Sequence, residues 1–226
     1  MMKKLFLLLL PLIAMTSCGD DNGSITVTSK SPISLLKGEQ FQIEASSEQP
    51  IRYGSLDEFH ATVDDNGLVT AVYVGKTQVR LKTDDDTKFI DINVYPSSSL
   101  LVEPHNTDFT IRRPEFIKMY GDKYTTLGDD LKTLVYDVRD NGYGASEYFI
   151  FHFNDSSEKA HLVKSQVILK AGTNIADVRA FLAERYKQSD SSANKYQNTL
   201  DGGAGTVFAE ITTDDAGIIT ISYTVS

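Results

Sequence analysis

The side chains best suited to chemistry in this 226-residue chain are its four histidines and its single cysteine. His152 follows Tyr148 by four residues in an alternating run, so both side chains point to the same face of a predicted strand. Glu210 occupies a comparable position in a later run. A histidine near a carboxylate and a phenol is able to transfer protons, which makes a hydrolase one hypothesis. The histidines form no catalytic or metal-binding spacing, so a non-enzymatic protein without metal or cofactor is the first expectation.

The same side chains also fit a binding surface. Tyr148, His152, Phe208 and Glu210 are predicted on the solvent-facing side of a sheet, where rings and hydrogen-bonding groups recognise proteins or sugars. The alternative is an ordinary solvated sheet face with a few exposed rings. Tyr143 lies between two glycines. It either presents its ring to a partner or belongs to a plain flexible turn.

Cys18 predicts a covalent modification. It ends a segment of two lysines, ten mostly aliphatic residues and a few small ones, which is typical of a bacterial lipoprotein signal. Residues 1–17 are therefore predicted as a signal peptide, and residues 18–23 as a tether with an acylated N-terminal cysteine. The apolar stretch is far shorter than the roughly 20 residues of a membrane-spanning helix. Acylation of the only thiol leaves none for disulfides, nucleophilic catalysis or metal binding.

The charge balance narrows the range of partners. The formal net charge is −9, and loss of Lys3 and Lys4 with the signal makes it more negative. A negative net charge disfavours binding to nucleic acid and to anionic lipid head groups. The lipid on Cys18 is therefore the expected membrane attachment. Asp20 and Asp21 follow the cysteine closely. They form either a solvated tether or a signal that resembles the export signal of Bacteroidetes surface lipoproteins, which would imply the outer face of the outer membrane.

Residues 24–96 contain about seven short alternating segments separated by turn residues, and no helical period of useful length. Asn66-Gly67 favours a tight hairpin, because both residues adopt positive φ readily. The run from Ala61 to Thr77, with residues 36–41 upstream, resembles bacterial Ig-like domains of group 2. The resemblance implies a small all-β sandwich that serves as a spacer or adhesion module on a cell-surface protein, without catalytic residues. Tyr53 stands where this family often has a tryptophan.

Residues 97–226 are predicted to form an α+β domain. Helical patterns at 110–120 and 173–186 are each followed by three strand-like runs, which suggests a tandem αβββ repeat. The expected structure is one antiparallel sheet with both helices on one face. The strands are predicted at 133–138, 147–154, 161–170, 196–200, 206–212 and 218–225. Alternation assigns to the helix side Phe149, Phe151, Phe153, Val163, Val167, Leu169, Val207, Ala209, Ile211, Ile219, Ile221, Tyr223 and Val225.

These patterns together predict a non-enzymatic, lipid-anchored cell-surface protein. The Ig-like module at 24–96 would act as a spacer, and the module at 97–226 would bind a protein or carbohydrate ligand. The alternative is a periplasmic protein inhibitor or an outer-membrane assembly factor. It is suggested by the layout of the second module, which is similar to that of β-lactamase inhibitory proteins and outer-membrane assembly lipoproteins.

Overall fold

The computed structural model describes residues 23–103, 109–127, 131–139, 141–200 and 202–226. The predicted signal peptide, with Cys18, Asp20 and Asp21 after it, lies outside these residues. No helix within them combines the length and apolar composition needed to cross a membrane. They contain only two helices, so the described part of the chain is mostly β-sheet.

Nine strands build the first domain, and most are short because turn residues recur every few positions. They are β1 (Thr26–Val27), β2 (Ile33–Leu36), β3 (Gln40–Gln42), β4 (Ala45–Ser46), β5 (Arg52–Ser55), β6 (Ala61–Val63), β7 (Leu68–Ala71), β8 (Gly75–Lys82) and β9 (Thr87–Tyr95). One sheet has the order β2-β9-β8-β5, a second has the order β3-β7-β6, and β1 pairs with β4. Inward side chains of both larger sheets, such as Val69, Val79 and Ile92, are buried in one core. A small β-sandwich results.

The hairpin between β6 and β7 turns at Asn66-Gly67. Gly67 has a φ of 81°. A Cβ at this position would lie 2.9 Å from the Tyr53 ring, so the ring packs against the space that the glycine leaves. The Asp64 carboxylate accepts hydrogen bonds from the backbone N–H groups of Leu68 and Asn66, at 2.8 and 2.9 Å. These bonds lower the pKa of Asp64, so its ionised form stabilises the turn.

The second domain contains two helices and eight strands. They are α1 (Arg113–Tyr120), β10 (Thr125–Thr126), β11 (Thr133–Asp137), β12 (Ser146–Phe153), β13 (Leu162–Leu169), α2 (Ile175–Arg185), β14 (Lys187–Ser189), β15 (Ser192–Gln197), β16 (Val207–Thr213) and β17 (Ile219–Val225). All eight strands form one antiparallel sheet in the order β10-β11-β12-β13-β17-β16-β15-β14. Each helix is thus followed by four strands, not by the predicted three, and the last strands of the two halves pair at the centre.

Both helices pack against the same buried core. Phe116 of α1 is fully buried, and its ring centroid lies 4.4 Å from that of Phe151. In α2, the buried side chains are those of Val178, Phe181 and Leu182. They join the same hydrophobic cluster as the inward side chains of the sheet, so the opposite face of the sheet is left without a helix.

The predicted inward positions of this sheet are buried, except Val163 and Val225. The register of β12 and β13 shifts between His152 and Phe153, so Phe153 pairs with Leu162. Leu162 is consequently buried, and Val163 is turned to solvent with 37% of its surface exposed. Val225 is exposed because it is the last residue of β17. The prediction for these two valines is therefore wrong.

The two domains contact each other at the C-terminal end of α2. Lys37 Nζ donates a hydrogen bond to the carbonyl oxygen of Ala183 at 2.6 Å. The backbone N–H of Val74 donates to the carbonyl oxygen of Glu184 at 2.9 Å. Carbonyl groups in the last turn of a helix have no partner within the helix. The first domain therefore supplies hydrogen-bond donors to two carbonyl groups at the end of α2, which belongs to the second domain.

A half-buried acid lies close to this contact. Oε1 of Glu103 accepts hydrogen bonds from the hydroxyl groups of Tyr186 and Tyr223, both at 2.9 Å. Nε of Arg185 lies 3.7 Å from the other carboxylate oxygen. Burial raises the pKa of Glu103, and the hydrogen bonds and the guanidinium offset this only in part. Glu103 thus links the end of α2 to the central strand β17.

Candidate ligand-binding groove

Four of the five predicted binding residues lie on the open face of the eight-stranded sheet. Tyr148 and His152 belong to β12, whereas Phe208 and Glu210 belong to β16. Two strands, β13 and β17, run between them. Three strand spacings of about 4.8 Å place the backbones of His152 and Glu210 about 14 Å apart. Glu210 instead lies 3.3 Å from the ammonium group of Lys195, so the two residues of the hydrolase hypothesis are not brought together.

His152 is part of a hydrogen-bonded chain across four strands. Its Nδ1 lies 3.2 Å from the Thr133 hydroxyl, and its Nε2 lies 2.8 Å from Oε1 of Gln166. Nε2 of Gln166 donates to Oγ of Ser222 at 2.9 Å. Because Gln166 Oε1 can only accept, Nε2 of a neutral His152 carries the proton, and Nδ1 accepts from Thr133. Both ring nitrogens are thereby occupied, so His152 has no free nitrogen to act as a base.

A groove with a volume of about 490 Å³ lies on the second half of the open face. It forms because the central strand β17 carries the short side chains of Ser222 and Thr224 between two strands with longer ones. Gln166 on β13 lies opposite Ser222, and Phe208 on β16 lies opposite Thr224. The floor is therefore made of hydroxyl groups, and an amide and an aromatic ring line its two sides.

Three charged side chains line the same groove: Lys164, Lys195 and Glu210. Lys195 and Glu210 form a cross-strand ion pair, since they are direct partners in the register of β15 and β16. Lys164 is half-buried and has no ion-pair partner among the residues that the structure describes. The groove therefore carries one uncompensated positive charge in a chain whose net charge is −9.

The first half of the open face carries different outward side chains from the second half. In β12, Ile150 is only 9% exposed. The His152 ring, held by Thr133 and Gln166, lies against the neighbouring strands. The counterpart of β17 in the first half is β13, which carries the longer outward side chains of Lys164 and Gln166, whereas β17 carries Ser222 and Thr224. The repeated fold therefore carries two different surfaces.

The structure places the remaining predicted rings outside the groove. The guanidinium carbon of Arg139 lies 5.1 Å from the centre of the Tyr148 ring and covers part of it. Tyr143 is half-buried, and its ring packs edge-on against Phe149 at 5.2 Å, on the helix side of the sheet. A Cβ at Gly144 would lie 2.3 Å from the carbonyl oxygen of Leu100. The loop around Tyr143 is thus packed closely against the chain before it.

Lys164, Gln166 and Ser222 line the groove but were not selected as site residues from the sequence. Sequence reasoning also missed Lys195, because the strand predicted at 196–200 lies at Ser192–Gln197. The signal that would have identified the groove is the run of short side chains on the outward positions of β17, next to strands with longer ones. That signal has meaning only once the strand order is known.

A larger hollow of about 570 Å³ lies on the outer face of the first domain, between Pro32 and Leu56. The polar side chains of this hollow already form hydrogen bonds with one another. Nε2 of Gln78 donates to Asp91 at 2.8 Å, and the Ser31 hydroxyl donates to the same carboxylate. In the described residues, no three or more histidine, cysteine or acidic side chains are grouped to hold a metal ion. The groove on the second domain, with an exposed ring and an unpaired cation, is the better candidate site.

No curated protein matches the chain. Among solved structures, the chain is similar to two pieces of the surface layer protein SbsC, with 13% identity in each. The match to domains 4–9 covers 90% of this chain and 27% of that one, with a TM-score of 0.28. The match to domains 5–6 covers 90% and 83%, with a TM-score of 0.29. TM-scores this low support no conclusion about fold or function.

The first domain has a clear assignment. The family described as "Bacterial Ig-like domain (group 2)" matches residues 23–89. The matched segment contains the hairpin at Asn66-Gly67, most of the buried core of the sandwich and Tyr53 against the glycine. Residues 23–89 of this chain therefore form a bacterial Ig-like domain of group 2.

Proposed function

We propose that this protein is a non-enzymatic lipoprotein of the cell surface. Its Ig-like domain acts as a spacer, and its second domain, with two helices on one face of the sheet, binds a glycan on the other face. The family match supports a surface role without catalysis, because a domain of this group implies a spacer or adhesion module. The lipid on Cys18 supplies the attachment.

The observation that carries this proposal is the groove on the open face. Its volume of about 490 Å³ lies within the range of roughly 300–1,000 Å³ that is usual for ligand pockets. The ring of Phe208 is half-exposed on one side, and Ser222 and Thr224 place hydroxyl groups on the floor. One aromatic platform beside several hydrogen-bonding groups suits a sugar ring, which has an apolar face and polar edges.

A protein ligand fits the same surface less well. The core of a protein interface is usually flat, apolar and rich in aromatic side chains. Here Ile150 is buried, Tyr148 is partly covered by Arg139, and Phe208 is the remaining ring of the face. A glycan is therefore the preferred occupant of the groove.

The test is a binding measurement on the full-length protein in mild detergent, against immobilised neutral and acidic polysaccharides. Phe208→Ala is expected to weaken binding by about tenfold or more, as for other aromatic contact residues. Its melting temperature should stay near that of the unchanged protein, because the ring lies on the open face. Tyr148→Ala is the matched control, since it removes a ring from the same face outside the groove.

Two results would contradict the proposal. One is unchanged binding of the Phe208→Ala variant. The other is equal loss of binding in both variants, which would indicate a wide surface instead of the groove. A large fall in the melting temperature of the Phe208→Ala variant would assign that ring a structural role.

A further inference from the structure

The hydrogen-bonded chain that begins at Thr133 has a direction. The Thr133 hydroxyl donates to His152, the His152 ring donates to Gln166, and the Gln166 amide donates to Ser222. Ser222 thus already accepts a hydrogen bond, and its own O–H remains to donate. Hydrogen bonds in such a chain polarise one another and strengthen the last donor. The chain therefore ends in an oriented donor on the floor of the groove.

The unpaired ammonium of Lys164 lies on the strand next to that donor. Lys164 is opposite Thr224 in the register of β13 and β17, and Thr224 is opposite Phe208 in that of β17 and β16. Two strand spacings separate the backbones of Lys164 and Phe208, which is about 10 Å. A sugar ring stacked on Phe208, with an exocyclic acid directed over Thr224, spans this interval.

We propose that the groove recognises a carboxylated sugar, such as a uronate residue of an acidic glycan, and not a neutral one. Lys164 provides the counter-ion, Ser222 donates a hydrogen bond to the carboxylate, and Phe208 supports the ring. The inference rests on the proposed function, because it names the class of glycan that the same groove binds. Charge complementarity favours it, since an oriented donor and an unpaired cation converge in a groove whose other cation, Lys195, is neutralised by Glu210.

His152 and Gln166 are positioning residues in this arrangement. Neither needs to touch the sugar, but together they fix which way the Ser222 hydroxyl points. Gln166→Leu keeps a similar volume and removes the donor to Ser222. This variant is expected to weaken binding of acidic glycans more than binding of neutral ones, whereas a purely structural role would weaken both equally.

The experiment compares the full-length protein on three acidic polymers with their carboxyl-reduced, neutral counterparts. The probes are polygalacturonate, alginate and hyaluronan. At least one acidic polymer is expected to bind about tenfold more tightly than its neutral partner, since a hydrogen bond to a charged group is stronger than one to a neutral group. Added salt should diminish that preference, because it screens the charge on Lys164.

Lys164→Met is expected to abolish the preference, because it weakens binding of the acidic polymers more than binding of their neutral counterparts. Lys164→Arg should retain it, because the charge is kept. Lys170→Met is the matched control: Lys170 is exposed directly after β13 and does not line the groove. Thermal unfolding of each variant identifies any loss of fold.

The possible outcomes separate this inference from the proposed function. Equal binding of acidic and neutral polymers overturns the inference and leaves glycan binding in place. A preference that survives Lys164→Met overturns the role of Lys164. Absence of binding to every polymer, acidic and neutral, overturns both proposals.

Discussion

His152 and Glu103 each form hydrogen bonds that hold neighbouring side chains in place. His152 resembled a proton-transfer residue in the sequence, but both of its ring nitrogens are bound within the sheet. Glu103 attracts less notice in the sequence, yet it is the acid whose pKa is most clearly raised by burial in the described residues. Its partners, Tyr186 and Tyr223, come from two different parts of the domain. The carboxyl group with the raised pKa therefore connects two parts of the domain through hydrogen bonds and does not lie on the open face.

Glu103 should make stability depend on pH. A carboxyl group whose pKa is raised on folding binds more protons in the native state than in the unfolded state, so stability falls as pH rises from its ordinary pKa of 4.5 to the raised value. Glu103→Gln keeps an oxygen for both tyrosine hydroxyls and removes the charge. Measured by urea unfolding between about pH 4 and about pH 8, the variant should gain stability relative to the unchanged protein as pH rises.

The matched control is Glu158→Gln, which removes an exposed carboxylate outside this network. A stability difference for Glu103→Gln that does not vary with pH would show that the carboxyl group ionises equally easily in both states. A difference that varies in the opposite direction would show that Arg185 and the tyrosines outweigh burial.

At the scale of elements, the contact between the two domains depends on the end of one helix. Lys37 and Val74 supply donors to the last carbonyl groups of α2, and the Lys37 ammonium lies where a helix C-terminus favours positive charge. Desolvation lowers the pKa of Lys37, although the nearby Glu184 acts in the opposite direction. The Ig-like domain thus donates two hydrogen bonds to the C-terminal carbonyl groups of a helix in the second domain.

Lys37→Met is expected to loosen this contact. It keeps most of the side-chain length and removes a charge at a helix end, an interaction worth about 0.3–1 kcal/mol. Hydrogen exchange at the Val74 amide, which donates to Glu184, should become faster because the domains separate more often. Lys82→Met, an exposed substitution in the same domain, should leave that rate unchanged. An unaltered rate in Lys37→Met would mean that the lysine does not hold the domains together.

The sequence predicted the larger elements and missed the small polar ones. Strands such as β12 and β17 alternate clearly, so their inward residues were predicted correctly apart from Val163 and Val225. Strands β10 and β14 contain two and three residues with no apolar alternation, and nothing local distinguishes them from turns. Val163 was misplaced because a register shift depends on the partner strand. The groove could not be predicted, since it depends on which strands lie beside β17.

At the scale of the whole molecule, the proposed function and its alternative differ in the side of the outer membrane on which the protein would lie. The Ig-like domain and the glycan-binding proposal both favour the outside. A protein inhibitor or an assembly factor would instead act in the periplasm.

Protease treatment of intact cells distinguishes these locations. If the proposal is correct, an antibody against the second domain should lose its signal while a periplasmic marker stays intact. Cys18→Ala should release the protein from the membrane fraction, because the acylated thiol is the proposed anchor. Full protection of the domain, with cleavage only after the outer membrane is opened, would instead favour the periplasmic alternative.

The two halves of the second domain share one strand order but differ in what covers their open faces. In the first half, β13 carries the longer outward side chains of Lys164 and Gln166, whereas its counterpart β17 carries the shorter ones of Ser222 and Thr224 beside the groove. A duplicated fold often suggests two equivalent sites, yet the proposed site lies at the groove of the second half, so the proposal predicts one sugar-binding site in each chain. Calorimetric titration should therefore give a stoichiometry of one. Tight retention of a long polysaccharide would then require several copies of the protein, side by side in the same membrane, acting together.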